Sequence, residues 1–218
     1  MNHVSIAWVS IAPLLAVMIN QHVRAARIVA LGDSTTAGTP GFHSPLEEPP
    51  SGRGDEASQY SYWLMKTHPN WTVLNRGVNG ERSDQIRARF DRDVIQAAPA
   101  AVVIIAGVND VYQGRTVDHV TEHLHAMYTR AADARILVVA GSIVPYNTAT
   151  TEQNARMHQI NEWIRRQPGI TFTDTRSAVA ASDNPDRLFE SPDGLHPSPA
   201  GYRRMADVIG AALERRLR

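Results

Sequence analysis

The stretch AVVIIAGVND at residues 101–110 begins with six apolar residues, four of them β-branched, and ends on polar ones. A short apolar run of this composition is typical of a strand that is buried on both faces of a parallel sheet. We therefore expect a central strand over Ala101–Ala106, with Asn109 and Asp110 just beyond its carboxyl end.

Similar β-branched runs occur on both sides of this strand and alternate with longer amphipathic segments. The predicted strands are Arg27–Leu31, Trp71–Asn75, Ala101–Ala106, Arg135–Gly141 and Ile170–Asp174. The predicted helices are Gln59–Thr67, Ser83–Gln96, Thr116–Ala132, Thr151–Gln167 and Pro199–Leu217, with Ser83, Thr116 and Ser198 as N-caps. Such alternation predicts one three-layer α/β domain built on a parallel sheet.

Composition excludes several classes of function. The 22 basic residues balance the 22 acidic ones, so the chain shows no electrostatic signature of nucleic-acid binding. The absence of cysteine rules out disulfides, thiolate metal sites and a cysteine nucleophile. With 43% hydrophobic residues, the chain has enough apolar material for a folded core.

The first 23 residues contain no Lys, Arg, Asp or Glu, and Ile6 to Ile19 is almost entirely apolar. This core is too short for a typical membrane span, and Val23-Arg24-Ala25 offers small residues for cleavage. We predict an export signal over residues 1–25 and a mature domain over residues 26–218, located in the periplasm or outside the cell without stable membrane association. The alternatives are an uncleaved N-terminal anchor, a misassigned start or a structural helix.

Several polar motifs lie where strands are expected to end. Ser34 lies in GDSTTAG, residues 32–38, on the turn that leaves the first strand, where a serine is either a nucleophile or a turn former. A 20-residue segment rich in Gly and Pro, residues 39–58, follows it and is interpreted as a rim or lid, or as a plain insertion.

A base for this serine is available near the other end of the sequence. Asp193 and His196 share a loop bounded by Pro and Gly, and their spacing lets the carboxylate orient the imidazole. Gly77 after the second strand and Asn109 after the third could donate hydrogen bonds to a developing negative charge, although both residue types are also common in turns.

In sequence order, the motifs around Ser34, Gly77, Asn109 and Asp193–His196 resemble the four blocks of the SGNH hydrolases, the GDSL-type esterase and lipase superfamily. The resemblance implies a flavodoxin-like sheet with strand order 2-1-3-4-5 and no cofactor. It implies Ser34 as nucleophile, His196 as base oriented by Asp193, and an oxyanion hole formed by Ser34 N–H, Gly77 N–H and Asn109. Asp33 is expected to be structural.

The resemblance also implies a small-molecule ester as substrate. We expect a serine ester hydrolase acting on small or lipid-derived carboxylic esters or thioesters through an acyl-enzyme, including lysophospholipase-like or thioesterase-like activity. A carbohydrate O-deacetylase is the second hypothesis, and a non-catalytic binding module is a further alternative. Phe42 and Phe189, in loops near the expected site, are candidates for the acyl pocket.

A competing motif lies in the helix predicted over Thr116–Ala132. His119, Glu122 and His123 match the H-x-x-E-H pattern of a zinc peptidase. The apolar positions of this helix lie on another face, so we expect both histidines to face solvent, and we predict no metal site.

Overall fold

Five parallel strands form the central sheet of the computed structural model, which describes residues 25–217. They are β1 (Ala26–Gly32), β2 (Trp71–Gly77), β3 (Ala101–Ile105), β4 (Leu137–Gly141) and β5 (Thr171–Thr173). Their order across the sheet is β2-β1-β3-β4-β5, which confirms the predicted fold. The predicted signal segment, residues 1–25, lies outside the described residues except for its last residue.

Eight α-helices connect and flank these strands in the described part of the chain. They are α1 (Ser34–Ala37), α2 (Tyr60–Thr67), α3 (Ser83–Ala88), α4 (Val108–Tyr112), α5 (Val117–Asp133), α6 (Thr151–Arg165), α7 (Thr175–Val179) and α8 (Pro199–Glu214). Five of them match predicted helices, although α3 is shorter than expected and is followed by a π-helical turn over Asp91–Ile95. The sequence reasoning missed α1, α4 and α7, each of which is only four or five residues long.

Alternate side chains of the strands pack into two separate hydrophobic cores, one on each face of the sheet. On β3, Val102 and Ile104 pack with α3, α5 and α6, whereas Val103 and Ile105 pack with α2 and α8. All five residues of β3 are buried, because helices cover both faces of a parallel sheet. This is the three-layer arrangement that the sequence pattern predicts.

Side-chain caps set the start of several helices. Thr116 accepts a hydrogen bond from His119 N–H, and Ser198 accepts one from Gly201 N–H, so both predicted caps are confirmed. The prediction for Ser83 is wrong, since this residue is the first residue of α3 and Arg82 occupies the cap position. The physical reason is that the Ser83 hydroxyl donates to Asp110 instead of accepting from its own helix.

The segment at residues 39–58 contains a small hairpin, Phe42–His43 paired with Arg53–Gly54, and a 3₁₀ turn at Glu56–Ser58. It packs against the turn after β2: Ser44 Oγ donates to Gly77 O at 2.6 Å, and Asn79 N–H donates to Glu47 Oε1 at 2.8 Å. The segment therefore supports that turn.

The strand register places three connections side by side. Gly32 at the end of β1 lies opposite Gly77 of β2 and Ile105 of β3, so the residues that follow these strands meet at one edge of the sheet. Open α/β folds place their ligands at this carboxyl edge. None of the helices among residues 25–217 combines the length and the apolar character that a membrane crossing requires.

Candidate active site

Ser34 is the first residue of α1, directly after β1. Asp33 caps this helix by accepting a hydrogen bond from Thr35 N–H at 3.0 Å. A side chain at Gly32 could not be accommodated, because its Cβ would lie 2.2 Å from Thr36 Oγ1 and 2.3 Å from the carbonyl oxygen of Ile105. These constraints fix the serine at the carboxyl edge of the sheet, where 7% of its surface stays exposed.

Asp33 itself is buried beneath this turn. Burial raises its pKa to about 7, although the hydrogen bond from the Thr35 backbone opposes the shift. The second carboxylate oxygen, Oδ2, has no hydrogen-bond partner among the described residues. The Asp33 side chain is not among the described residues that line the pocket beside Ser34. Its role is therefore to cap α1.

The loop that precedes α8 brings His196 to Ser34. His196 Nε2 lies 2.9 Å from Ser34 Oγ, and His196 Nδ1 lies 2.7 Å from Asp193 Oδ2. The other oxygen of Asp193 accepts the backbone N–H groups of Leu195 and His196, each at 2.9 Å. A hydroxyl, an imidazole and a carboxylate in this sequence of contacts can activate the hydroxyl as a nucleophile.

The carboxylate of this trio is held in its charged form. Partial burial would raise the pKa of Asp193, but the hydrogen bonds from the His196 side chain and from the Leu195 and His196 backbone outweigh it and lower the pKa below its usual value. Asp193 can therefore orient the imidazole and stabilise its protonated form.

The structure does not bring Gly77 into the pocket, and the prediction that it donates to an oxyanion is wrong. Gly77 N–H donates to Asn75 Oδ1 at 3.0 Å, and a Cβ at Gly77 would lie 2.1 Å from the Ala37 nitrogen. Gly77 is thus the buried last residue of β2, where that strand packs against α1. Gly80, three residues further on, lines the pocket, and its N–H has no hydrogen-bond acceptor within residues 25–217.

Asn109 lies just beyond the end of β3, as the sequence predicts, on the short helix α4 that the sequence does not indicate, and it lines the pocket. Its side-chain nitrogen donates to Glu81 O at 3.0 Å, which uses one of its two N–H bonds. Together with the Ser34 N–H and the Gly80 N–H, the second N–H bond can serve an oxyanion.

A pocket of about 260 Å³ opens next to Ser34 and His196. Sequence reasoning missed several of its residues, including two tyrosines whose rings meet edge to face at 5.9 Å, Tyr112 and Tyr146. Tyr112 is 60% exposed at the rim, whereas Tyr146 is buried. The sequence does not indicate Tyr146, because it lies beyond β4 and joins the pocket only through the fold.

Neither phenylalanine that the sequence reasoning offered for the acyl pocket is among the residues lining it. Phe42 is buried within the hairpin segment, where its ring approaches Gly52. Phe189 lies under the guanidinium group of Arg204, 3.9 Å from its ring centroid. The pocket is lined instead by residues such as Val108 and Leu195.

One group of possible metal ligands lies near the site. Asp84, Asp110 and His119 bring their ligand atoms within 4.8 Å of one another. The expectation that His119 faces solvent is wrong, since its Nε2 is buried and points toward Asp110 Oδ1 at 3.6 Å.

The carboxylates of this group already have partners. Asp84 binds the Arg82 guanidinium through both oxygens, and Asp110 binds Ser83 through both of its own. His123 meets His119 ring to ring but is not in the group of possible metal ligands. The donor set is therefore committed to hydrogen bonds, and the zinc-peptidase motif is not assembled as a site.

Comparison with known proteins gives a family match over most of the chain. The sequence model of the GDSL-like Lipase/Acylhydrolase family matches residues 30–204. An acetylxylan esterase of Geobacillus stearothermophilus is 28% identical over 151 residues, which cover 62% of this chain and 68% of that protein.

Solved structures show the same fold. A GDSL-like lipase from Bacteroides thetaiotaomicron is 24% identical with a TM-score of 0.68, over 87% of this chain and 88% of that one. A catalytic mutant of an acetylxylan esterase from Geobacillus stearothermophilus is 20% identical with a TM-score of 0.68, over 87% of this chain and 94% of that one.

Proposed function

The chain belongs to the GDSL-like lipase/acylhydrolase family, as the sequence resemblance implies, and from this premise we propose that it is a serine ester hydrolase. The observation that carries the proposal is the set of contacts that joins Ser34 Oγ, His196 and Asp193 at 2.9 Å and 2.7 Å. These distances suit proton transfer between hydroxyl and imidazole.

In the proposed reaction, Ser34 Oγ gives its proton to His196 Nε2 and attacks the carbonyl carbon of the ester. The carbonyl oxygen becomes negatively charged and accepts hydrogen bonds from Ser34 N–H, Gly80 N–H and Asn109 Nδ2. As the carbon–oxygen bond of the ester breaks, His196 returns the proton to the leaving alcohol and the acyl group stays on Ser34. Water then attacks in the same way and releases the acid.

The size of the pocket supports a short acyl group. At about 260 Å³, with walls that include Val108, Tyr146 and Leu195, it suits acetyl to butyryl groups better than a long lipid chain. We therefore place small carboxylic esters and thioesters first among the substrates, and lipid-derived esters after them.

A carbohydrate acetate is the second candidate. Its support is Tyr112, whose ring is 60% exposed at the rim of the pocket, where the alcohol portion of a substrate would lie. An exposed aromatic ring offers a flat amphipathic surface for a sugar ring. The similar acetylxylan esterase of Geobacillus stearothermophilus makes this candidate worth testing.

The test is the hydrolysis of p-nitrophenyl esters from acetate to palmitate and of acetylated xylooligosaccharides. Wild type is compared with Ser34→Ala and with Ser51→Ala, which changes an exposed serine of the hairpin segment. We expect activity on the shortest esters in wild type and Ser51→Ala, and a loss of at least about 1000-fold in Ser34→Ala. Equal activity in all three proteins would contradict a serine mechanism.

Two additions to this assay separate the alternatives. A chelator abolishes the activity of a metallopeptidase but leaves a serine hydrolase unchanged. Tyr112→Ala should raise KM for the acetylated oligosaccharide, with little change for p-nitrophenyl acetate, if sugars are the substrates. A protein that binds oligosaccharides but hydrolyses none of the esters would be a binding module.

A further inference from the structure

Asp110 is a fully buried carboxylate next to the proposed oxyanion hole. It has no part in the reaction described above. It lies in the first turn of α4, with 0% of its surface exposed. Asp110 Oδ2 accepts the Ser83 N–H at 2.8 Å, and Asp110 Oδ1 accepts the Ser83 hydroxyl at 2.7 Å. Both oxygens therefore bind the first residue of α3.

The two segments joined in this way carry two of the three proposed oxyanion donors. Asn109 directly precedes Asp110 on α4, and Gly80 lies three residues before Ser83 in the turn that leads into α3. A further hydrogen bond, from Asn109 Nδ2 to Glu81 O at 3.0 Å, joins the same two segments between these points. At the end of α4, Arg82 Nη1 donates to Gln113 Oε1 at 3.0 Å. These contacts hold the turn with Gly80 beside the helix with Asn109.

A carboxylate suits this position because it offers an acceptor to both the N–H and the O–H of Ser83. An asparagine would offer one oxygen acceptor, and its NH₂ group could bind the Ser83 hydroxyl only as a donor, with the hydroxyl proton turned away from residue 110. His119 completes the surroundings from α5, with its Nε2 at 3.6 Å from Asp110 Oδ1 and without a hydrogen-bond partner among the described residues.

We infer that Asp110 is a positioning residue for ester hydrolysis, which holds the turn with Gly80 against the helix with Asn109 so that both donors reach the same oxyanion. The inference rests on the proposed function, because the donors matter only if an oxyanion forms at Ser34. Misplacement of catalytic groups by about 1 Å can cost on the order of 100-fold in rate.

The chain offers a matched control for a purely structural role. Asp174 also accepts both groups of a serine, Ser177 N–H at 3.1 Å and Ser177 Oγ at 2.9 Å, but it does so as the N-cap of its own helix, α7. It follows β5, and it is not among the described residues that line the pocket at Ser34. Asp174→Asn should therefore lower stability without changing kcat.

The experiment compares Asp110→Asn, Ser83→Ala, Ser83→Thr and Asp174→Asn with wild type. We measure kcat and KM on p-nitrophenyl acetate, and the rate at which a fluorophosphonate probe labels Ser34, since its phosphoryl oxygen occupies the same donors. For Asp110→Asn we expect kcat and the labelling rate to fall by about 10- to 100-fold, with KM within about twofold. Ser83→Ala should show a smaller loss in kcat, and Ser83→Thr, which keeps the hydroxyl, should restore it.

Hydrogen–deuterium exchange over residues 78–88 reports on the contact itself. Exchange in this segment should be faster in Asp110→Asn but unchanged in Asp174→Asn. Wild-type kcat in Asp110→Asn, or an equal loss of kcat in Asp174→Asn, would overturn the positioning role while leaving the esterase proposal intact. A wild type that neither hydrolyses esters nor reacts with the probe would instead overturn the proposed function, and the positioning role with it.

Discussion

The side-chain amide of Asn109 donates a hydrogen bond to the carbonyl oxygen of Glu81 at 3.0 Å. This contact fixes the plane of the amide and leaves its second N–H bond for the pocket. Asn109→Ala removes that donor, so we expect kcat for p-nitrophenyl acetate to fall by about 100- to 1000-fold, with KM nearly unchanged. Steady-state kinetics at saturating substrate measures the loss.

Asn109→Asp serves as the control for shape. Aspartate fills the same volume but has no N–H bond and adds a negative charge next to the oxyanion. Its kcat should be at least as low as that of Asn109→Ala, whereas a near-normal kcat would exclude a donor role for this side chain.

Asp193→Asn should lower kcat by on the order of 10⁴-fold. An amide at this position cannot stabilise the protonated imidazole, and it can turn its NH₂ group toward His196 Nδ1, which selects the wrong tautomer. The hydrogen bonds that lower the pKa of Asp193 keep it charged at neutral pH, where the rates are compared. Rates are compared with those of Asp183→Asn, which alters an exposed carboxylate and should be fully active.

Asp33 makes the stability of the protein depend on pH. Burial raises its pKa from 3.8 to about 7, so the folded protein holds this proton more tightly than the unfolded chain does. The stabilising contribution is present at low pH and is lost as the pH rises from about 4 to about 7, at a cost on the order of 4 kcal/mol. Asp33→Asn keeps the acceptor for Thr35 N–H and carries no charge, so its advantage in Tm over wild type should grow from pH 5 to pH 8.

Thermal unfolding of both proteins at pH 5, 6, 7 and 8 checks this expectation. Parallel curves of Tm against pH would mean that Asp33 does not titrate in this range, and the argument from burial would fail.

Gly77 and Gly80 should respond differently to alanine. At Gly77 a Cβ would lie 2.1 Å from the Ala37 nitrogen, so Gly77→Ala must displace α1 and should destabilise the fold by about 1–3 kcal/mol or more. At Gly80 nothing lies within 4 Å, and the backbone φ of +75° costs alanine about 1 kcal/mol. Gly80→Ala should therefore fold, with a smaller loss of Tm.

Chemical denaturation and kinetics on the same preparations check the contrast between the two glycines. A Gly77→Ala protein as stable as wild type would show that α1 does not pack on β2 as described.

Much of the fold could be predicted from the sequence because the five strands are short β-branched runs. Few protein architectures are compatible with their alternation with amphipathic segments. The strand order came from the resemblance to the SGNH hydrolases. Ser34, Asp193, His196 and Asn109 could be located because each lies in a short motif at the end of a strand or in one loop.

The errors concern residues whose roles depend on distant contacts. Gly77 ends β2 and Gly80 lies in the turn that follows, and this connection is held by Ser44 and Glu47 of the segment at residues 39–58. Ser83 has the composition of an N-cap, but Asp110, 27 residues away, captures its hydroxyl. The sequence around the two glycines and Ser83 does not indicate that Ser44, Glu47 and Asp110 are their partners.

The distance of 162 residues along the chain between Ser34 and His196 has a consequence for biosynthesis. Ser34 leaves the ribosome early, together with β1 and α1, while Asp193 and His196 are still untranslated. The hydroxyl stays an ordinary alcohol until the loop at residues 191–198 has been made and α8 has docked. The docked α8 is joined to the segment after Ser34 by a hydrogen bond from Tyr202 Oη to Thr39 O at 2.7 Å. If Ser34 reacts as proposed, a nascent chain that still lacks residues 191–198 is inert toward esters.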